Sequence, residues 1–541
     1  MPPISPEETP IPAARPQPTK FAALVPLKIP VFRMLWSTWL VANICMWMND
    51  VAAAWMMTTL TSSPIWVALV QSASTLPVFL LGLPSGALAD ILDRRRWLVA
   101  TQFWLAGTAI VLCGALALDL MTAPLLLALT FANGIGLALR WPVFAAIVPE
   151  LVPRTQLPAA LGLNGIAMNT SRIVGPLTAG MLIASAGSIW VFALNAVLSV
   201  ASGFVVLRWR REHTPNPLGR EKLISAMRVG VQFVRQSQRM RAVLTRISIF
   251  FFHSTALLAL LPLLARNLQG GGAGTFTLLL AAMGAGAIVA VLFLPRLRQA
   301  MGRDQLVLRG TLLQSGATAV MAFAPNAWVA VPAMFFGGMA WITVANSLSV
   351  SAQLALPDWV RARGMSMYQM AIMGASAIGA AIWGQVATVT TLVASLSVAA
   401  VSGTLLMLAA LRWVTDVSGE DDTSPAQAGW AVGPPAEAPE ENGRVVITVE
   451  YLIDPARAAA FHLVMQQTRR ARLSQGAIGW ELLHDIAQPE RYVEQIVDES
   501  WTDHLRRFNR ATASDMALRE RRLAFHIGES SPVITRYIVR R

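Results

Sequence analysis

Charge is scarce in this chain. Only 13% of its 541 residues are charged and 55% are hydrophobic, which excludes a single water-soluble core, because too little polar surface remains to wrap one. Lysine is scarcer still: Lys20, Lys28 and Lys222 are three of 43 basic residues, a bias that points to a GC-rich bacterial genome. The two cysteines, Cys45 and Cys113, both lie in apolar stretches, excluding a disulfide framework or a cysteine-based metal cluster. No metal site and no cofactor is expected. The phosphate-binding pattern G-x-x-x-x-G-K-[ST] is missing, which argues against ATP as a driving force. The formal charge of +13 is spread over arginines without an aromatic-interleaved basic patch, so nucleic acid is excluded as a partner. Residues 1–30 lack a long apolar core and are rich in proline. They read as a disordered cytoplasmic tail rather than a signal peptide.

What is present is a series of apolar runs. A helix spanning a bilayer needs about 20 mostly apolar residues. Twelve stretches qualify, near 33–58, 64–89, 97–118, 123–148, 160–185, 188–208, 244–266, 275–296, 305–324, 327–350, 365–387 and 390–412. One set of connectors carries Arg94, Arg95, Arg96, Arg154, the basic segment from Arg208 to Arg241, Arg296, Arg298, Arg303, Arg361, Arg363 and Arg412, while the other carries only Arg266. The positive-inside rule makes the basic set cytoplasmic. The chain is therefore expected to cross a bacterial plasma (inner) membrane many times, with the lipid bilayer as a partner and both termini cytoplasmic.

The stretches fall into two sixes, 31–208 and 244–414, separated by a cytoplasmic connector at 209–243. An offset of 204 pairs Pro153, Gly175 and Gly180 with Pro357, Gly379 and Gly384, the mark of an internal repeat. Residues 415–443 hold seven acidic residues among Pro, Gly and Ala and no basic one, the composition of a flexible linker. Residues 444–541 then read strand, helix, strand, strand, helix, strand, as in a ferredoxin-like domain. The fold class expected is an all-α membrane protein of two pseudo-symmetric six-helix halves, plus a small α+β domain at the C-terminus.

Three stretches point to a family. "GALADILDRRR" places Gly86, Asp90, Arg94, Arg95 and Arg96 between the second and third spans; "WMNDVAAAWMMTTLTSSP" begins at Trp47; "SRIVGPLTAG" places Gly175, Pro176 and Gly180 in the fifth span. Together they resemble the major facilitator superfamily, in the subfamily that includes the enterobactin exporter and macrolide-efflux-like proteins. The C-terminal region is similar to the antibiotic-biosynthesis monooxygenase type. The resemblance implies a secondary active transporter: a proton-coupled exporter of a bulky siderophore-like molecule or antibiotic, working by alternating access, with a small-molecule substrate and protons as partners. It also implies that Gly86, Asp90 and Arg94–Arg96 form a cytoplasmic gating loop, with Asp90 as a latch between the halves, and that Gly175, Pro176 and Gly180 form an antiporter-type helix bend. Ser171 and Ala179 stand where that motif usually has glycine.

Ionisable groups inside a bilayer cost about 2.5–3.5 kcal/mol each, so those present call for a partner or a role. Asp50 shares a helical face with Asn43 and Trp47; Arg140 lies on the fourth span; Arg172 lines up with Asn169, Pro176 and Gly180; His253 lies on the seventh. These are the expected proton and substrate groups, with Asp50 or His253 exchanging protons and an arginine holding Asp50 or an anionic group. No catalytic residue is assigned. The alternative is a transporter fused to an active cofactor-free monooxygenase-like domain, with Trp480, Trp501, His504 and Asn509 as its polar and aromatic candidates, against a role for that domain in homodimerisation.

Overall fold

The computed structural model describes residues 22–91, 93–153, 156–209, 223–357, 359–413, 443–508 and 510–539. After a 3-10 turn at Ala22–Lys28, which packs on the first and fifth helices, the first half comprises α1 (Pro30–Leu60), α2 (Pro64–Ile91), α3 (Arg94–Ala117), α4 (Ala123–Leu151), α5 (Leu157–Ala186) and α6 (Ser188–Leu207). A short helix, α7 (Leu223–Gln236), lies in the connector. The second half comprises α8 (Gln238–Asn267), α9 (Ala273–Ala300), α10 (Arg303–Phe323), α11 (Ala327–Leu354), α12 (Arg361–Val389) and α13 (Leu392–Trp413).

Local chemistry sets the helix ends. Asp93 accepts from the Arg96 amide at the start of α3, Ser237 from Met240 at α8, and Asn326 from Val329 at α11, each satisfying a donor that the first turn leaves open. Gly187 turns the chain between α5 and α6 with φ 95°, a backbone state that glycine adopts without a Cβ clash, and its amide closes on the Leu182 and Ile183 carbonyls. Large apolar side chains such as Trp190, Val197, Phe204, Leu292 and Leu405 point outward, where hydrocarbon rather than water would meet them.

Among the described residues, eleven of the twelve expected stretches are helices long and apolar enough to cross a membrane. The exception is α5. It has the length, 30 residues, but the side chains of residues 158 and 169 lie outside the described residues, which leaves no unbroken described stretch long enough to span.

The halves repeat one arrangement. Within the first, α1 packs on α5 and α6, α2 on α4, and α3 on α4 and α6; within the second, α8 packs on α12 and α13, α9 on α11, and α10 on α11 and α13. Between halves, α2 meets α12 and α5 meets α9, the same pair of neighbours with the halves exchanged. The glycines of the 204-residue offset obey this symmetry. A Cβ at Gly175 would strike Trp47 on α1, and one at Gly379 the Phe252 backbone on α8; a Cβ at Gly180 would strike Thr277 on α9, and one at Gly384 Ala68 on α2. Small residues are what let helix backbones approach this closely in lipid.

The last described elements form a separate layer: β1 (Val445–Leu452), α14 (Ala458–Ser474), β2 (Gly479–His484), β3 (Arg491–Asp498), α15 (Trp501–Phe508), α16 (Ala513–Leu523) and β4 (Val533–Ile538). The strands run β2-β3-β1-β4 with every neighbour antiparallel. Alternate β1 residues Val445, Ile447, Val449 and Tyr451 face the core, joined by Phe461 and Met465 of α14. The acidic linker lies outside the described residues, apart from Gly443.

Candidate functional site: a cavity between the halves

Where the halves meet, α1, α2, α5, α8, α9 and α11 enclose a cavity of about 160 Å³. Most of its wall is apolar, with Phe276, Leu280 and Met283 from α9 and Leu258 from α8. Its polar groups are few: Asp50 and Trp47 from α1, Gln71 from α2, Arg172 from α5 and Trp341 from α11. The Arg172 guanidinium lies 4.4 Å from the Trp341 ring centre and 5.7 Å from that of Trp47. One indole belongs to each half, so a single cation is held by aromatic faces from both sides of the seam.

Among the described residues, Asp50 Oδ1, Trp47 Nε1, Arg172 Nε and Trp341 Nε1 are buried without a hydrogen-bond partner. Buried polar atoms are ordinarily paired. Three donors and one carboxylate oxygen left open on one cavity make a site prepared for a guest that carries acceptors, next to a carboxylate able to take up a proton. Asp50 and Arg172 share the cavity but form no ion pair with each other, which leaves each free to meet a guest.

Helix α5 builds this site through its glycines and proline. Gly175 brings α5 against Trp47, Gly180 brings it against α9, and Pro176 lines the cavity one turn from Arg172. The seam is further tied at the end of the bundle with charge-poor connectors. There Arg266 NH1 donates to the Thr58 carbonyl, and the Ile65 amide donates to Thr388 Oγ1 at 3.0 Å. Along α2, Ser72 Oγ donates to the Ala377 carbonyl at 2.7 Å.

The other residues singled out from the sequence lie elsewhere. Arg140 is 2% exposed inside the first half, with NH1 directed at Gln102 Oε1, 3.4 Å away, and its guanidinium over Trp39. Asn43 donates to the Trp39 carbonyl at 2.7 Å, one helical turn back. His253 packs inside the second half against Trp383 and Gly403, with Nδ1 2.7 Å from the Ile249 carbonyl. The side chains of Asn169, Gly86 and Asp90 lie outside the described residues, so the latch has no described geometry. In the same loop Asp93 caps α3, and Arg95 NH2 donates to the Leu207 carbonyl at 2.5 Å. Sequence reasoning missed Gln71, Trp341, Phe276 and Met283. Of these only Trp341 left a trace, three residues beyond the close-packing Gly338.

In the sheet domain, Trp480 donates to Glu494 Oε1 at 3.0 Å and His504 Nδ1 lies 2.9 Å from Asp498 Oδ2. Trp480 Nε1 and His504 Nδ1 are thus paired with buried carboxylates, whereas His504 Nε2 and Nε1 of the neighbouring Trp501 are buried without a hydrogen-bond partner. Asn509 lies outside the described residues.

Comparison with known proteins agrees with this architecture. A family model described as transmembrane secretion effector matches residues 21–541. The chain is 22% identical over 258 residues to the staphyloferrin A transporter of Staphylococcus aureus, covering 47% of this chain and 64% of that one. It is 24% identical over 250 residues to macrolide efflux protein A of Streptococcus pyogenes, covering 44% and 60%. With the enterobactin exporter EntS of Salmonella typhimurium it shares 25% identity over 391 residues, 70% of this chain and 92% of the relative. It thus spans under two thirds of the length of the first two. Among solved structures, the nucleoside transporter NupG superposes with a TM-score of 0.56 at 14% identity, over 71% of this chain and 98% of that one. A POT family transporter in complex with 5-aminolevulinic acid gives 0.56 at 14%, over 70% and 96%. These likenesses establish the fold, and the family match extends over nearly the whole sequence: the chain is a multi-pass membrane protein that belongs to the transmembrane secretion effector family of major facilitator transporters.

Proposed function

We propose that the protein is a proton-coupled exporter of bulky, partly apolar small molecules in the plasma (inner) membrane, working by alternating access. In this reading α5 crosses the bilayer as a twelfth span, and the basic connectors and both termini are cytoplasmic. The observation that carries the reading is the cavity at the seam, where Arg172 lies between indoles of opposite halves beside the unpartnered Asp50 carboxylate. Rocking of the halves would separate Trp47 from Trp341, so a guest bound through Arg172 is gripped in one state and released in the next. Protonation of Asp50 removes the negative charge from the same small space. Proton and substrate therefore compete for one cavity, as exchange of one for the other requires.

Cargo named for the relatives, a siderophore in two cases and a macrolide in another, matches the chemistry of the wall: apolar surface for rings and chains, with a cation and N–H donors for oxygen acceptors. The gating role of Gly86, Asp90 and Arg94–Arg96 belongs to this proposal, as does a dimerising role for the sheet domain.

The test uses inverted membrane vesicles with an acidified interior, offered a labelled siderophore and a labelled macrolide. Uptake of one of them that collapses with the gradient is expected; no gradient-dependent uptake of either contradicts the reading. Trp341→Ala removes one face of the clamp. It is expected to raise the half-saturating concentration about 2- to 30-fold, the range a cation–π contact supplies, with the protein still folded and inserted.

A further inference from the structure

Arg266 is the one basic residue at the charge-poor end of the bundle, and a lone arginine there runs against the charge asymmetry that orients the chain. It stands in the last turn of α8, and its NH1 donates across the seam to the Thr58 carbonyl of α1. That carbonyl is among the last four of α1, which ends at Leu60, and a helix has no partners of its own for those groups. The last turn of α1 holds no basic residue, although the carbonyl end of a helix favours a cation. Arg266 therefore serves two helix C-termini at once: its own, and that of the first helix of the opposite half.

Between this bond and the seam cavity lies an aromatic contact. Trp55 of α1 stacks on Phe276 of α9 with ring centres 5.6 Å apart and planes 20° apart. Phe276 is 3% exposed and lines the cavity, as do Asp50 and Ala54 of α1 and Leu258 of α8. Thr58 follows Trp55 by about one turn, and Arg266 follows Leu258 by about two. Toward the charge-poor end the cavity is thus covered by two layers, a ring stack and then a charged hydrogen bond, and each joins the first half to the second.

Thr58 is 1% exposed, whereas Arg266 is exposed. Water can take over the guanidinium when the halves part, so the bond biases the closed arrangement without locking it. On the alternating-access reading of the chain, we propose that Arg266 is the latch of a gate at this end, which the positive-inside rule puts outside the cell. With the latch made, the cavity is shut toward the outside. Release of the Thr58 carbonyl lets Trp55 part from Phe276 and opens the cavity in that direction.

The test uses the full-length protein in nanodiscs, with Cys45 and Cys113 replaced by alanine. Spin labels are attached through Ser62→Cys and Gln269→Cys, exposed positions beside the latch in the first and second halves, and their separation is measured by pulsed electron paramagnetic resonance. Retention of the wild-type elution profile is the folding control. Arg266→Gln is expected to raise the ratio of wide to narrow separations about 5- to 30-fold, the range that a cation bonded to a helix-end carbonyl supplies. Arg266→Lys, which keeps the charge, should stay closer to wild type. Arg298→Gln breaks a bond to Asn346 that lies within the second half, at the other end of the bundle, and should leave the ratio unchanged. If wild type shows both separations and Arg266→Gln leaves their ratio unchanged, or Arg266→Lys or Arg298→Gln raises it equally, the latch is overturned and rocking stands. If the wide separation is absent from every protein, wild type included, the alternating-access reading falls together with the latch.

Discussion

Asp50→Asn is expected to abolish gradient-driven accumulation while leaving exchange of substrate across the membrane intact. The substitution keeps the size and shape of the side chain at the seam cavity but removes its ability to take up and release a proton. A potential of 100 mV is worth about 2.3 kcal/mol per charge moved, so each coupled proton sustains an accumulation ratio of about 50. With Asn at position 50 that ratio should fall to about one. Counterflow of labelled against unlabelled substrate, which needs only a functional cavity and rocking halves, should persist within a factor of a few. Measuring both in the same proteoliposomes separates lost coupling from a damaged protein. Retained accumulation would remove Asp50 from the coupling step.

The second large effect concerns the sheet domain. Glu494 is completely buried on β3; it accepts from Tyr451 Oη, Arg472 Nε and Trp480 Nε1 at 3.0–3.1 Å, and Arg522 stands 3.9 Å away. Burial by itself would raise its pKa, but Arg472, Arg522 and the Trp480 hydrogen bond outweigh that and hold the carboxyl down at about 2. Glu494→Gln leaves Arg472 and Arg522 with their counter-charge removed, at a cost of about 3–5 kcal/mol to the domain. Amide exchange of β1 and β3 in the full-length protein should then accelerate by about two to four orders of magnitude.

The sign of the pH dependence follows from the depressed value. Stabilisation by Glu494 is complete above the ordinary carboxyl range near 4.5 and is lost as pH falls from there toward 2. Wild-type β1 and β3 should lose protection across that window, and the variant should lack this component.

Much of the architecture was legible because the bilayer imposes a simple code. A run of about 20 apolar residues has few alternatives to a spanning helix, and each predicted stretch coincides with a helix to within a few residues. In α5 the apolar run is interrupted by Asn164, Ser171 and Arg172. Of these, Arg172 lines the seam cavity, whereas Ser171 donates to the Ala167 carbonyl within α5.

Helical spacing grouped Asp50 with Trp47, and Arg172 with Pro176, correctly for the cavity, because each pair sits on one helix and one turn. It failed across helices. Asn43 is two turns from Asp50 on α1, yet it closes on its own backbone, and Arg140 turns toward α3. Nothing in a single sequence fixes the rotation of one helix against the next. Trp341 and Gln71 were missed for the same reason, since an indole or an amide in an apolar run looks alike whether it faces lipid, a neighbour or a void. In the sheet domain, period-two alternation on β1 and β3 made the strands readable, whereas the pairing of Glu494 with arginines from α14 and α16 depends on contacts distant in sequence.

The central claim is that the space around Asp50 and Arg172 opens in turn to each side of the membrane. Its most direct test places a single cysteine at Ala54, on the cavity wall, after Cys45 and Cys113 are replaced by alanine. A membrane-impermeant maleimide is then applied separately to right-side-out and inverted vesicles. The account predicts labelling from both sides, with the balance shifted by an imposed proton gradient and protection by saturating substrate. Labelling from one side only, whatever the gradient, or from neither would contradict it.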